Sequence, residues 1–125
     1  MKILVVDDSA IARKFLIKSL PNVEGVEFEI KECINGLEAV NIYPDYKPDI
    51  VFLDLTMPVM DGVEALAKIK ELDPDSVVYV LTADIQKSTQ EKIMALDAKK
   101  FLKKPPSKGI IGDAVLEFVK TMNIG

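Results

Sequence analysis

Two kinds of hydrophobic pattern alternate along the chain. Ile3–Val6 (ILVV), Ile50–Leu53 (IVFL) and Val77–Leu81 (VVYVL) are unbroken apolar runs rich in β-branched side chains. Strands that are apolar on both faces belong in the middle of a sheet with helices on each side. Phe28–Cys33 (FEIKEC) alternates apolar and charged positions, the pattern of an edge strand with one buried face. Phe101–Leu102, flanked by lysines, predicts the other edge. Helical periods fill the intervals. Ala10–Leu20 places Ile11, Ala12, Phe15, Leu16 and Leu20 at apolar positions before Pro21 stops it. Asn35 and Glu38 form a capping box ahead of Ala39 and Val40, and Asp61 with Glu64 repeats it ahead of Val63, Leu66, Ala67 and Ile69. Asp84 is expected to cap a helix over Ile85–Leu96. Ser107 is expected to cap a last one, striped by Ile110, Ile111, Ala114, Val115, Phe118, Val119 and Met122.

Strict alternation of five strands and five helices predicts an α/β three-layer sandwich around a five-stranded parallel sheet. Parallel strands bring all their C-terminal ends to one edge, and ligands of open α/β sheets bind in the crevice outside those ends. Four of the expected strands finish beside a chemically capable residue: Asp7 and Asp8, then Asp54, Thr82 and Lys104.

Composition narrows what such a crevice can do. The 125 residues, 49% apolar, suit one domain spanning 1–125 with a full core and no disulfide or metal staple. A formal charge of -4 speaks against general nucleic-acid affinity. Cys33 is the sole cysteine and histidine is absent, so typical zinc, iron or copper sites and His-based hydrolytic triads are excluded. A lone cysteine fits a reducing compartment, and no apolar run reaches membrane-span or signal-peptide length; a cytoplasmic location and a monomer are the expectation.

Three neighbouring carboxylates repel one another, and such a cluster either binds a cation or stores electrostatic strain. All-oxygen ligation with room for water suits Mg²⁺. A carboxylate can itself attack phosphorus to give an acyl phosphate. Asp54 is the best attacker because it stands alone at the end of a fully apolar strand, whereas adjacent Asp7 and Asp8 are better placed to hold a metal. Lys104 offers positive charge to a phosphoryl oxygen and Thr82 a hydroxyl. Neither GxGxxG nor GxxxxGK[ST] is present, and Leu55 and Thr56 after Asp54 supply no general acid, which makes a phosphatase the weaker reading.

The segments ILVVDDSAIAR (3–13), DIVFLDLTMPVMDG (49–62), VLTA (80–83) and FLKKP (101–105), in this order and spacing, resemble the receiver domains of bacterial and archaeal two-component response regulators. The resemblance runs from Lys2 to about Met122. It implies a flavodoxin-like (βα)5 fold with strand order 2-1-3-4-5. It also implies Asp54 as phosphoacceptor and Mg²⁺ held by Asp7, Asp8, Asp54 and the Thr56 carbonyl, with Asp7 acting mainly through water. Thr82 and Phe101 correspond to switch residues, Lys104 to the catalytic lysine before a cis proline, and Pro58 and Gly62 to the loop that shapes the third helix. The position directly before the proline selects Lys104 over Lys103.

The implied function is a phosphorylation-activated switch. A histidine kinase or phosphotransfer protein would phosphorylate Asp54, and the chain would bind a target protein through helix 4, strand 5 and helix 5. No independent substrate turnover is expected. Without an output domain among the 125 residues, regulation is expected in trans, and SAIAR favours a chemotaxis-type regulator. The alternative is a phosphorelay intermediate that passes the group to a histidine phosphotransfer protein. Three departures stand out. Pro106 follows the Lys–Pro pair where a bulky apolar residue is common. Asp97–Ala98 replaces Gly–Ala, which asks Asp97 for a turn geometry easier for glycine. Lys99, Lys100, Lys103, Lys104 and Lys108 form a basic segment, read either as solvated surface or as a dock for an acidic partner.

Overall fold

The computed structural model describes residues 1–122 apart from Thr56, Pro58 and Ile85. Among them the order is β1 (Lys2–Val6), α1 (Ala10–Lys18), β2 (Glu29–Cys33), α2 (Gly36–Tyr46), β3 (Ile50–Asp54), α3 (Gly62–Leu72), β4 (Val78–Thr82), α4 (Lys87–Ala95), β5 (Lys100–Lys103) and α5 (Lys108–Met122). The strands form one parallel sheet in the order β2-β1-β3-β4-β5. This is the flavodoxin-like arrangement the sequence pattern and the resemblance implied.

The pleat divides the apolar residues between two cores. Ile3, Val5, Ile50, Phe52, Tyr79, Leu81 and Leu102 face α1 and α5, where Leu16, Ile111, Ala114, Val115 and Val119 cover them. Leu4, Val6, Val51, Leu53, Val78 and Val80 face the opposite layer, built on Ala39, Tyr43, Ala65, Leu66, Ile69 and Ile93 of α2, α3 and α4. Side chains alternate along each strand, so an unbroken apolar run supplies both cores at once. Phe52 and Tyr79 stack with centroids 5.6 Å apart, and the Tyr79 hydroxyl donates to the Ala114 carbonyl, fastening α5 to the sheet centre. Cys33 is buried as an apolar residue, and burial pushes its thiol up to about 11.

Several boundaries differ from the sequence expectation. Helix α1 stops at Lys18, because Ser19 ends it with its hydroxyl and amide turned back on the Phe15 carbonyl, before Pro21 can act. Ile11 and Phe15 lie on its exposed side, and only Leu16 is fully buried. The Asn35 and Asp61 caps form, accepting from the amides of Glu38 and Glu64. Glu38 reaches back one residue further than a standard capping box, to the Ile34 amide. Ser107 accepts from the Ile110 amide and starts α5 as expected. Asp84 does not cap residue 85 onward: α4 begins at Lys87 after Gln86, and the Asp84 carboxylate instead accepts from the Gln86 amide and the Thr89 hydroxyl. Gln86 is itself extended, at φ -63° and ψ 141°, so the helix begins only at Lys87.

Asp97 adopts φ 64°, the left-handed geometry expected where a glycine would be easier. Val59 at φ 71° was not anticipated; a β-branched residue there is strained by about 1–3 kcal/mol. The loop carrying it returns closely on itself. The Gly62 amide donates to the Leu55 carbonyl at 2.8 Å, and a Cβ at Gly62 would overlap the Asp54 carbonyl and sit 2.6 Å from the Leu55 Cα. A glycine is therefore what lets α3 start against the end of β3. Chemical denaturation should show Gly62→Ala losing about 1–3 kcal/mol by overpacking. Gly112→Ala, mid-helix in α5 with open space around it, should gain up to about 1 kcal/mol.

Candidate functional site

The site is built from strand ends. In the α1/α5-facing set, Val5 is followed by Asp7, Phe52 by Asp54 and Leu102 by Lys104, each two residues on. Three different strands thus deliver an acid, an acid and a base to the same side of one edge. Asp54 pairs with Leu81 in the β3–β4 register, and the Lys104 amide donates to the Thr82 carbonyl at 2.8 Å, which sets the depth of each side chain.

Lys104 Nζ lies 2.9 Å from Asp7 Oδ2 and 3.1 Å from Asp54 Oδ1. One ammonium therefore bridges two buried carboxylates. Asp7 is further fixed by the Ser9 amide, which donates to Oδ1 at 2.9 Å, while Asp8 is exposed beside them. One oxygen from each of Asp7, Asp8 and Asp54 falls within 4.8 Å of the others. Thr56, the fourth expected metal ligand, and Pro58 lie outside the described residues.

The electrostatics follow from this crowding. Burial and the Asp7 carboxylate, with a smaller push from Asp8, raise the Asp54 carboxyl above its ordinary range despite the Lys104 contact. Burial alone would lower Lys104, but hydrogen bonds and charge from Asp7 and Asp54 outweigh it and raise the ammonium. The charged form of Asp54 is thus disfavoured by its surroundings, with a fixed cation at one side and acids at the other.

Thr82 stands on the opposite pleat and is buried. Its hydroxyl accepts from the Asp84 amide at 3.0 Å, and among the described residues no hydrogen bond joins that hydroxyl to Asp54 or Lys104. Phe101 shares that pleat, partly buried against the α2–α4 core, where it pairs in register with Val80. The strand parity that separates Lys103 from Lys104 leaves Lys103 exposed. The Lys104–Pro105 bond is cis.

Sequence reasoning missed one participant. Arg13 Nη1 donates to the Asp7 carbonyl at 2.7 Å, and its Nε pairs with Glu32 at 2.9 Å. Its available signal is a cation in the first turn of α1, where the helix dipole disfavours positive charge.

The donor set fits a hard divalent cation: only carboxylate oxygens converge, Asp8 is open to solvent, and neither thiolate nor imidazole stands nearby. Raised protonation of Asp54 has a direct consequence in metal-free buffer. The native state holds this proton to higher pH than the unfolded chain, so its contribution lowers stability as pH rises through the folded value. Asp54→Asn should raise the thermal midpoint at neutral pH in the presence of a chelator, and the gain should shrink as pH falls from the folded value to the unfolded carboxylate range, and be absent below it. Melting curves across that range check it.

Residues 3–116 match the family described as response regulator receiver domain. The chemotaxis protein CheY of Listeria monocytogenes is 44% identical over 106 residues, covering 84% of this chain and 87% of that one. CheY of Bacillus subtilis is 38% identical over 123 residues, 98% of each chain. Among solved structures, the CheX–CheY–BeF3–Mg²⁺ complex of Borrelia burgdorferi aligns with a TM-score of 0.81 and 31% identity, over all of this chain and 90% of that one.

Proposed function

The chain belongs to the response regulator receiver domains, and from that premise we propose that it is a Mg²⁺-dependent phosphorylation switch of the chemotaxis type. The observation that carries this is the single ammonium of Lys104 shared between buried Asp7 and Asp54 beside exposed Asp8. The similar structure solved as a CheX–CheY–BeF3–Mg²⁺ complex supports this reading.

Asp54 is the nucleophile. Its carboxylate oxygen forms the new O–P bond to a phosphohistidine of a kinase or phosphotransfer protein as the N–P bond breaks, and the electron pair leaves with the imidazole nitrogen. Asp7, Asp8 and Asp54 would hold the cation, which when bound offsets the repulsion between carboxylate and phosphoryl group. Lys104 is already at hydrogen-bond distance from Asp54, so it meets the incoming phosphoryl oxygens without a large search. Thr82 gives up the Asp84 amide to reach the phosphoryl group, and Phe101, behind it on the same pleat, moves into the space released.

The target side of the molecule is α4, β5 and α5. Exposed Met94 and Ile110 with exposed Lys103 offer apolar contact and positive charge, suited to an acidic, partly apolar segment of a target, while Lys100 pairs with Glu117. Among the described residues no helix is long and apolar enough to cross a membrane.

A small acyl phosphate with Mg²⁺ should add one acid-labile phosphate. Borohydride trapping and mass spectrometry should place it on Asp54. Asp54→Asn should lose the label, whereas Asp61→Asn, which keeps the α3 cap, should retain it. A label on Asp7, Asp8 or a hydroxyl overturns the mechanism.

Lys104→Ala and Thr82→Ala should separate acceptance from switching. Both retain the nucleophile and the metal carboxylates, so both should take phosphate. Neither should show the wild-type change in the Phe101 ring resonances on addition of BeF3 and Mg²⁺, measured by NMR.

A further inference from the structure

The Asp7–Asp8 peptide is the one backbone unit on which two proposed metal ligands hang. The preceding Val6–Asp7 peptide is tied to the sheet, since the Asp7 N–H donates to the Cys33 carbonyl of β2 at 3.1 Å. The Asp7–Asp8 peptide itself is held at its carbonyl by Arg13, at 2.7 Å. Arg13 sits in the first turn of α1, where a positive charge opposes the helix dipole, and its side chain is only 14% exposed. Helix preference and burial therefore both argue against a guanidinium there. Two directed bonds hold it: Nε to Glu32 on β2 and Nη1 to the Asp7 carbonyl. The fork geometry of a guanidinium spans both acceptors at once.

We propose that Arg13 is a positioning residue for the divalent-cation site, acting through the Asp7 carbonyl to fix the orientation of the Asp7 and Asp8 carboxylates. The inference rests on the reading of Asp7, Asp8 and Asp54 as the metal carboxylates. The Asp7 carboxylate has anchors of its own in the Ser9 amide and Lys104. Exposed Asp8 follows the peptide plane that Arg13 holds, and among the described residues no other hydrogen bond reaches the Asp7 carbonyl. Without that bond the peptide can rotate about its flanking dihedrals, and Asp8 no longer starts in register with Asp54. Partners that orient metal ligands in this way are worth about 10–100-fold in metal affinity.

The test uses the full chain and MgCl2 alone, by isothermal titration well below the melting temperature. Arg13→Met keeps the apolar stem and removes both donors; Glu32→Gln keeps an acceptor for Nε and leaves the bond to Asp7 intact. Arg13→Met should weaken Mg²⁺ binding about tenfold. Glu32→Gln should leave it within about twofold of wild type, even where both variants melt at lower temperature, because metal affinity in the folded state is independent of a simple loss of stability. Equal affinity in wild type and Arg13→Met overturns the positioning role. An equal loss in Glu32→Gln also overturns it, by placing the effect in the ion pair between α1 and β2. Failure of the wild type itself to bind Mg²⁺ overturns the reading of the site instead, so the two failures are distinguishable. Should Arg13→Met not fold, Arg13→Lys, which keeps the charge and one donor, must still bind Mg²⁺ more weakly than wild type for the inference to stand.

Discussion

Two buried carboxylates share one ammonium at the edge of the sheet, and the shape of the site follows from keeping that arrangement intact. Asp7 and Asp54 would repel each other strongly at this burial, and Lys104 between them offsets the repulsion without removing it. The result is a nucleophile that is poised but unrelaxed. A divalent cation and a phosphoryl group would bring compensating and added charge to the same few ångströms in which Lys104 contacts both carboxylates. The arrangement works as a switch because the resting state already contains electrostatic tension that binding can release.

The scaffold sustains this tension through rigid supports from three directions. The sheet fixes the roots of Asp7 and Asp54 by parallel pairing on both sides of β1 and β3. Gly62 allows α3 to begin against the end of β3, and Arg13 ties α1 back to the turn after β1. Thr82 is held by a different network, in which its hydroxyl accepts from Asp84 and the Asp84 carboxylate in turn holds the entry to α4. Backbone and side-chain bonds around Asp84 keep its carboxyl below the usual range. In the proposed switch, exchange of the Asp84 amide for a phosphoryl group at the Thr82 hydroxyl would link chemistry at Asp54 to the position of α4.

Much of this was legible in the linear chain, and the reason is local. Unbroken apolar runs mark central strands because both faces of a parallel sheet are covered; Asn35, Asp61 and Ser107 mark helix starts because their side-chain oxygens satisfy the first free amides. Asp7, Asp54 and Lys104 could be grouped because parallel strands end on one edge, and the choice of Lys104 over Lys103 rested on its place directly before the proline, as the resemblance implies. Asp84 was misread because a cap and an extended loop share the same residue preferences, and the next bond, to Thr89, depends on where the helix begins.

The sequence by itself determined the layer architecture, the set of groups at the C-terminal edge and the exclusion of thiolate and imidazole chemistry, since each depends on residue type and short-range period. Only the tertiary structure decided which groups touch. Lys104 bridges Asp7 and Asp54 while Thr82 turns away to Asp84, because strand register and pleat set side-chain direction across strands far apart in sequence. The structure alone also placed Arg13 on a backbone carbonyl, since every residue offers one and composition carries no trace of which is taken. Val59 is a like case: a left-handed backbone at a β-branched residue arises from the path the loop must follow between β3 and α3, a constraint imposed by the packed elements at its ends.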